Sequence, residues 1–368
     1  MPMSAPLAGV RVVDLSRLVP GPYCSLLLAE QGADVIVVRG GPGSAPIAAF
    51  APGKRFVSLD LRDALGRSAL HRLVCDADVL LEGFRPGVAA RLGAGYDELS
   101  AHNPRLVYCA LTGYGQSGVR SGEAGHDINY LAISGVLGAL GPADGDPLPP
   151  LNLVADLAGG SLAAAFAIAA ALFARERTGR GTYLDVAMID GCVSMMGFHR
   201  AAWRTPMMPG RGSGVLSGRA PAYRTYRCAD GRYVAVGALE PPFFAALWAA
   251  LGLGEPVPDH RDPSTWDETS RRLETAFAAA SRDEWTRRFD GIEACVTPVL
   301  APDEALGDAH VRTRRERHGS RAPEPAPDET ETVLRAAGAT DAEIAAAVDA
   351  RDAAAAEPPP WPSGTHSP

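Results

Sequence analysis

Positive charge is in short supply in this sequence. Thirty-five Lys and Arg stand against 43 Asp and Glu, for a formal net charge of −8. That balance removes the global electrostatic case for a nucleic-acid partner, so a polyanionic ligand must be met by local cations. Cysteine is scarce too. The six (Cys24, Cys75, Cys109, Cys192, Cys228, Cys295) lie far apart with no CxxC pair. This excludes a disulfide framework and reads as reduced core thiols of a cytoplasmic protein. No metal-ligand spacing and no internal repeat emerges. The glycine run Gly40-Gly41-Pro42-Gly43 lacks the GxGxxG spacing of a dinucleotide fingerprint, and its proline argues against a helix starting there. No leader peptide is visible, because the N-terminus enters a strand pattern almost at once. One stretch, Leu157 to Ala174, is apolar enough for a membrane span. It starts beside Asp156 and ends in Arg175-Glu176-Arg177 with no loop asymmetry, so it reads as a buried core helix and not as a membrane contact.

What is present describes a globular protein. At 368 residues the length predicts two domains, and 46% hydrophobic with 21% charged residues is ordinary for a protein with a sizeable core. The first 110 residues alternate strand and helix signals. Val10 to Leu15, Asp34 to Val38, Phe56 to Leu61, Val79 to Leu81 and Leu106 to Leu111 read as strands, with helical stretches between them. A long helix from about Leu157 to Thr178, a strand at Tyr183 to Met188 and a further helical stretch to about Trp203 follow. Such alternation predicts an α/β fold with a mostly parallel, Rossmann-like sheet in a large domain over residues 1–203.

Residues 204–221 are dense in Gly, Pro and Ser and read as a linker. Beyond it, Tyr223 to Cys228 and Tyr233 to Val236 flank Asp230-Gly231, which predicts a β-hairpin. Helical stretches and a strand at Val296 to Leu300 complete a smaller α+β domain over residues 222–320. The tail, 321–368, carries one helix signal, Asp341 to Asp352, before a Pro-rich end that reads as disordered.

Three segments carry groups suited to proton chemistry. In Gly125-His126-Asp127-Ile128-Asn129-Tyr130, a His-Asp pair at a loop-to-helix junction presents either an imidazole beside free backbone N–H groups or a simple helix cap. In Asn152-Leu153-Val154-Ala155-Asp156, a carboxylate meets the positive end of a helix as a cap or as a base. In Ala238-Leu239-Glu240-Pro241-Pro242, a strand stops at a carboxylate followed by two prolines. Each admits a structural reading on its own.

Together, these segments and their surroundings resemble the class III CoA-transferase superfamily and, within it, the α-methylacyl-CoA racemases. The superfamily features are VRVVDLSRLVPGPYCSLLLAEQGADVI, GKRFVSLDLR and ADVLLEGFRPGVAARLG. GHDINY, NLVADLAGG and YRTYRCADGRYVAVGALEP are racemase-like. Matching segments run from Leu7 to about Gly319. Class III transferases share an aspartate at the Asp156 position but usually lack the His126 and Glu240 equivalents, which favours the racemase side.

The resemblance implies that the substrate is a 2-methylacyl-CoA and that racemisation proceeds through an enolate, which requires acid/base groups on both of its faces. His126 would serve one face, with Glu240 hydrogen-bonded to it, and Asp156 the other. Backbone N–H groups near Asp127 would bind the enolate oxygen. Lys54, Arg55 and Arg85 would meet phosphates and Arg91 would stack on adenine. No cofactor beyond the coenzyme A of the substrate and no metal is implied. Family members are interlocked homodimers, which would place Glu240 in the partner's chain. Met195-Met196 and Met207-Met208 are suited to lining an acyl channel or to ordinary packing. Departures from the family run at Gly214, Gly218 to Ala222 and Arg224, beside the inferred acyl site, bear on the acyl chain accepted. Two other readings stand beside racemisation. One is CoA transfer between carboxylic acids through an aspartyl anhydride at Asp156. The other is acyl-CoA binding without turnover.

Overall fold

The structure, a computed structural model, describes residues 5–40, 47–318 and 327–355. The Val- and Leu-rich runs form six parallel strands: β1 (Arg11–Asp14), β2 (Asp34–Arg39), β3 (Lys54–Ser58), β4 (Val79–Glu82), β5 (Val107–Thr112) and β6 (Thr182–Ala187). Their spatial order is β3-β2-β1-β4-β5-β6. In register, Val12 lies beside Val35 on one side and Val79 on the other. Chain direction reverses its march across the sheet between β1 and β4, which is the switch point where ligands of doubly wound sheets bind. The expected Rossmann-like sheet is therefore present. β4 and β5 are buried along their whole lengths, as a sheet covered on both faces requires.

Helix α1 (Pro20–Glu30) follows β1 and has proline in its first turn, where a missing N–H costs nothing. Helix α2 (Ala64–Cys75) starts at Asp63, whose side chain accepts from the N–H groups of Leu65 and Gly66. Helix α3 (Tyr96–His102) precedes β5, and α4 (Asp127–Ser134) follows the glycine-rich loop after it. The long apolar helix differs from expectation. Leu153–Leu162 is a π-helix, and only from there does α5 (Ala163–Thr178) continue as an α-helix. The Ser161 hydroxyl donates to Asp156 O, five residues back, and to Pro20 O. Helix α6 (Met188–Met195) crosses this segment closely: a Cβ at Gly191 would lie 2.1 Å from Gly159 O. The combined segment, Leu153–Thr178, is long and apolar enough to cross a membrane by length and composition, and a third of its most apolar stretch is buried in this chain. Leu162, Phe166 and Phe173 are exposed on it.

The chain divides into two units. The first comprises the described residues through Ser134, Pro150–Met195, and the C-terminal stretch from residue 327. The second comprises Gly135–Pro149 and residues 196–318. The boundary thus falls at Met195, not at 203, and residues 204–221, expected as a linker, lie in the second unit. That unit contains an antiparallel sheet of β7 (Tyr223–Arg227), β8 (Tyr233–Gly237) and β9 (Val296–Pro298), with α7 (Pro241–Ala250), α8 (Trp266–Phe277) and α9 (Arg282–Arg288) packed on it. Its core is aromatic, with Tyr226, Phe244, Trp248, Phe277 and Trp285 buried together.

The tail is not an appendage. Helices α10 (Thr330–Ala336) and α11 (Asp341–Ala355) put Val333, Leu334, Ile344 and Ala347 into the core of the first unit. Glu329 N donates to Phe56 O, Ser58 N donates to the Thr330 hydroxyl, and Arg39 pairs with Asp328, so the returning chain covers the β3 edge of the sheet. The Pro-rich end expected after it, from residue 356, lies outside the described residues. Among the six free cysteines four are buried, whereas Cys75 and Cys295 are exposed, a departure from the all-core expectation.

Candidate active site

The loop after β5 is shaped by one tyrosine. The Tyr130 ring lies where a Cβ at Gly113 or Gly125 would go, at 2.1 and 2.8 Å, and its hydroxyl donates to Gly125 O at 2.5 Å. Only glycines at those two positions let the loop close over the ring. His126 then stands exposed at the mouth of α4, its own N–H donating to Asn129 Oδ1. Asn129, not His126 or Asp127, is therefore the capping side chain. Among the described residues, the N–H groups of Asp127 and Ile128 meet no acceptor, leaving two donors at the positive end of an eight-residue helix.

Asp156 comes to this helix end on the first turn of the π-helix. Its carboxylate accepts from Asn152 Nδ2 at 3.1 Å. It caps nothing. Its own N–H, with that of Ala155, donates to Asp127 Oδ2, both at 2.9 Å. Burial is the main cause that holds the Asp156 carboxyl above the usual range; the Asn152 amide opposes it, Asp127 adds to it and His126 opposes it. Asp127 is pushed up by burial too, against those two N–H groups. His126, Asp127 and Asp156 are thus one electrostatic cluster, with two free N–H groups beside it. Glu240, in the second unit, is exposed at the N-terminus of α7 and forms no ion pair among the described residues.

A cavity of about 310 Å³ opens at the carboxyl ends of β1 to β4. It is lined by Arg17, Gly40, Asp60, Arg62 and Phe84, among others. Arg17 reaches across it to Gly40 O at 2.7 Å, and Arg62 pairs with Asp60. Arg91 closes the short helical turn Val88–Arg91, flanked by Val88 and Leu92 of the cavity wall. Arg85 lines a second cavity of about 570 Å³ on the other side of that turn, with Glu82, Tyr96, Tyr108 and Tyr183.

Two expected phosphate ligands are elsewhere. Lys54 is buried, donating to Pro22 O at 2.7 Å and to the Ser25 hydroxyl at 2.8 Å, and burial lowers its ammonium to about 8 against the pull of Asp14. Arg55 forms a bidentate pair with Asp34, the first residue of β2, at the amino ends of the strands. These side chains brace the fold. The cations that do line the switch-point cavity, Arg17 and Arg62, follow predicted strands by two residues or fewer, a signal in the sequence that a search for basic clusters passes over. Asn152 lies inside a motif already singled out, and the four-residue spacing of its bond to Asp156 was the signal that could have found it.

Residues 7–347 match CoA-transferase family III. Alpha-methylacyl-CoA racemase of Mus musculus is 45% identical over 328 residues, covering 87% of this chain and 85% of the relative. The Homo sapiens racemase is 44% identical, over 84% of this chain and 81% of its own. A CAIB/BAIF family crystal structure from Brucella suis superposes with a TM-score of 0.73 at 28% identity, covering 85% of this chain and 88% of that one. The chain belongs to CoA-transferase family III.

Proposed function

We propose that this protein is an isomerase of acyl-CoA thioesters, interconverting (R)- and (S)-2-methylacyl-CoA by removing and returning the α-proton. The observation that carries it is the cluster of His126, Asp127 and Asp156 around two unpaired N–H groups. The α-proton of a thioester is weakly acidic, so a base must be matched by stabilisation of the enolate oxygen. The N–H groups of Asp127 and Ile128 supply donors aimed by a helix dipole. Asp156, held above its ordinary range chiefly by burial, is a stronger base than a solvated carboxylate. His126 takes the opposite face, and Glu240 is assigned to tune it. Similarity to the two racemases supports this reading.

In the same reading, coenzyme A lies with its nucleotide in the switch-point cavity, against Arg17, Arg62 and Arg91, with Arg85 nearer the thioester. The remaining proposals rest on family resemblance. They are a homodimer to which Glu240 of the partner subunit contributes, a cytoplasmic location, and no cofactor or metal beyond the substrate's own coenzyme A.

The test is α-deuterium uptake from deuterium oxide by each 2-methylacyl-CoA enantiomer. Wild type is expected to exchange both. Asp156→Asn is expected to lose exchange from one enantiomer by on the order of a hundredfold, and His126→Ala to lose it from the other. No exchange with any thioester, together with CoA transfer to an added carboxylic acid, would replace the proposal by an aspartyl-anhydride transferase.

A further inference from the structure

We propose that the Asp127 carboxylate is the positioning residue of this site, locking the turn that carries Asp156 to the helix end that offers the enolate-binding N–H groups. What those groups do rests on the racemase reading; how they are held does not. Two consecutive N–H groups, of Ala155 and Asp156, converge on one oxygen, Asp127 Oδ2, at 2.9 Å each. The same residue opens α4, so its backbone N–H is one of the two unpaired donors at the helix mouth while its side chain accepts from the Ala155–Asp156 segment. Two parts of the site, 29 residues apart in sequence, are joined through one side chain.

Asp127 is 7% exposed, and its other oxygen, Oδ1, is buried with no partner among the described residues. Burying a carboxylate with half of its acceptors unmet is unfavourable, and a residue that only filled space would not incur that cost. Its charge also acts on Asp156, whose other neighbours are Asn152 on its own turn, His126 and Tyr130 from the α4 side, and Cys192 of α6; Arg85 faces Tyr130. Burial is the first cause of the raised Asp156 carboxyl, and Asp127 adds to it.

Two full-length variants separate the two effects. Asp127→Asn keeps an acceptor oxygen for the N–H pair and removes the charge, whereas Asp127→Ala removes both. Deuterium uptake is measured across pH on both thioester enantiomers, and backbone amide exchange is followed at residues 153–158 of the ligand-free protein. Asp127→Ala is expected to lower kcat by on the order of a hundredfold, as a displaced acid/base group does. Its thioester KM should stay within about threefold. The Ala155 and Asp156 amides should exchange at least about tenfold faster, having lost their acceptor. Asp127→Asn is expected to keep that protection and to move the acidic limb of kcat/KM to lower pH, because loss of a neighbouring negative charge eases ionisation of Asp156.

Unchanged amide protection and unchanged kcat in Asp127→Ala would overturn the proposal. Equal kcat loss in both variants with the wild-type pH limb would overturn it as well. Should Asp127→Ala fail to fold, the limb shift in Asp127→Asn decides, and its absence counts against. If the wild type exchanges no α-proton, the racemase reading falls, and amide protection alone judges the positioning role.

Discussion

Glu82 and Glu343 are each 3% exposed, yet their surroundings drive them in opposite directions. Glu343 meets the Ser68 hydroxyl, Arg72, and the Thr340 N–H and hydroxyl, and those partners outweigh burial to hold it at about 2. Glu82 has burial as its main influence and one N–H, from Phe84 at 2.6 Å, working against it, and it rises from 4.5 to about 7. Partner count, not depth, sets the sign. A carboxyl raised in the folded state contributes stability that is complete below about pH 4.5 and is lost as pH climbs through about 7. The difference amounts to on the order of 3 kcal/mol. Glu82→Gln keeps the acceptor for Phe84 and cannot ionise. It is expected to unfold at higher urea than wild type at pH 8 and at the same urea near pH 4.5. An equal offset at both values would mean that ionisation of Glu82 is not the cause. The same distinction explains the misread cations: Gly53-Lys54-Arg55 looks like a phosphate loop in a string of letters, and only the fold shows Lys54 buried and Arg55 committed to Asp34.

At the scale of elements, the strands were legible because runs such as Val35 to Val38 and Leu106 to Leu111 leave little else for a chain to do. The site motifs were legible for a similar reason, since glycines packed under Tyr130 leave a recognisable spacing. The π-helix at Leu153–Leu162 was not. Its residues have the composition of any apolar α-helix, and the widened turn depends on what crosses it. Gly159 and Gly191 allow that crossing, with Gly191 at a φ any residue adopts, so the cost of a side chain there is steric alone. Two effects compete in Gly191→Ala. Inside α6 alanine gains about 1 kcal/mol of helix propensity, but its Cβ would sit 2.1 Å from Gly159 O, a backbone atom that cannot rotate away. Overlap wins. The variant is expected to lose about 1–3 kcal/mol in urea unfolding, with a lower kcat because Asp156 rides on the displaced segment. A more stable variant would show that the crossing is slack.

Over the whole molecule, the chain leaves its first unit after Ser134, returns at Pro150, leaves again after Met195 and comes back at the C-terminus. Long-range returns of this kind are invisible to periodicity, which explains why the last residues read as a tail with a single helix. Their apolar content is modest, but it is spent in one place. Leu334 is fully buried among Val57, Leu70, Leu73 and others of the sheet-and-helix core, and Glu343 fastens α11 to α2 through Ser68 and Arg72. If this stretch were an appended tail, truncating Leu334 would change stability by no more than about 0.5 kcal/mol, as surface changes do. As part of the core, Leu334→Ala removes a buried side chain and leaves a cavity, and the expected loss is about 2–5 kcal/mol. That is a large share of the 5–15 kcal/mol typical of a folded domain. The loss should also reach β3, because Thr330 and Glu329 hold its edge, four and five residues before Leu334. Urea unfolding monitored with amide exchange at residues 54–58 reads both effects at once. A shift in the unfolding midpoint accompanied by faster exchange in β3 is the expected result. Loss confined to residues 330–355, with β3 as protected as in wild type, would mean that the returning helices fold onto the sheet without supporting it.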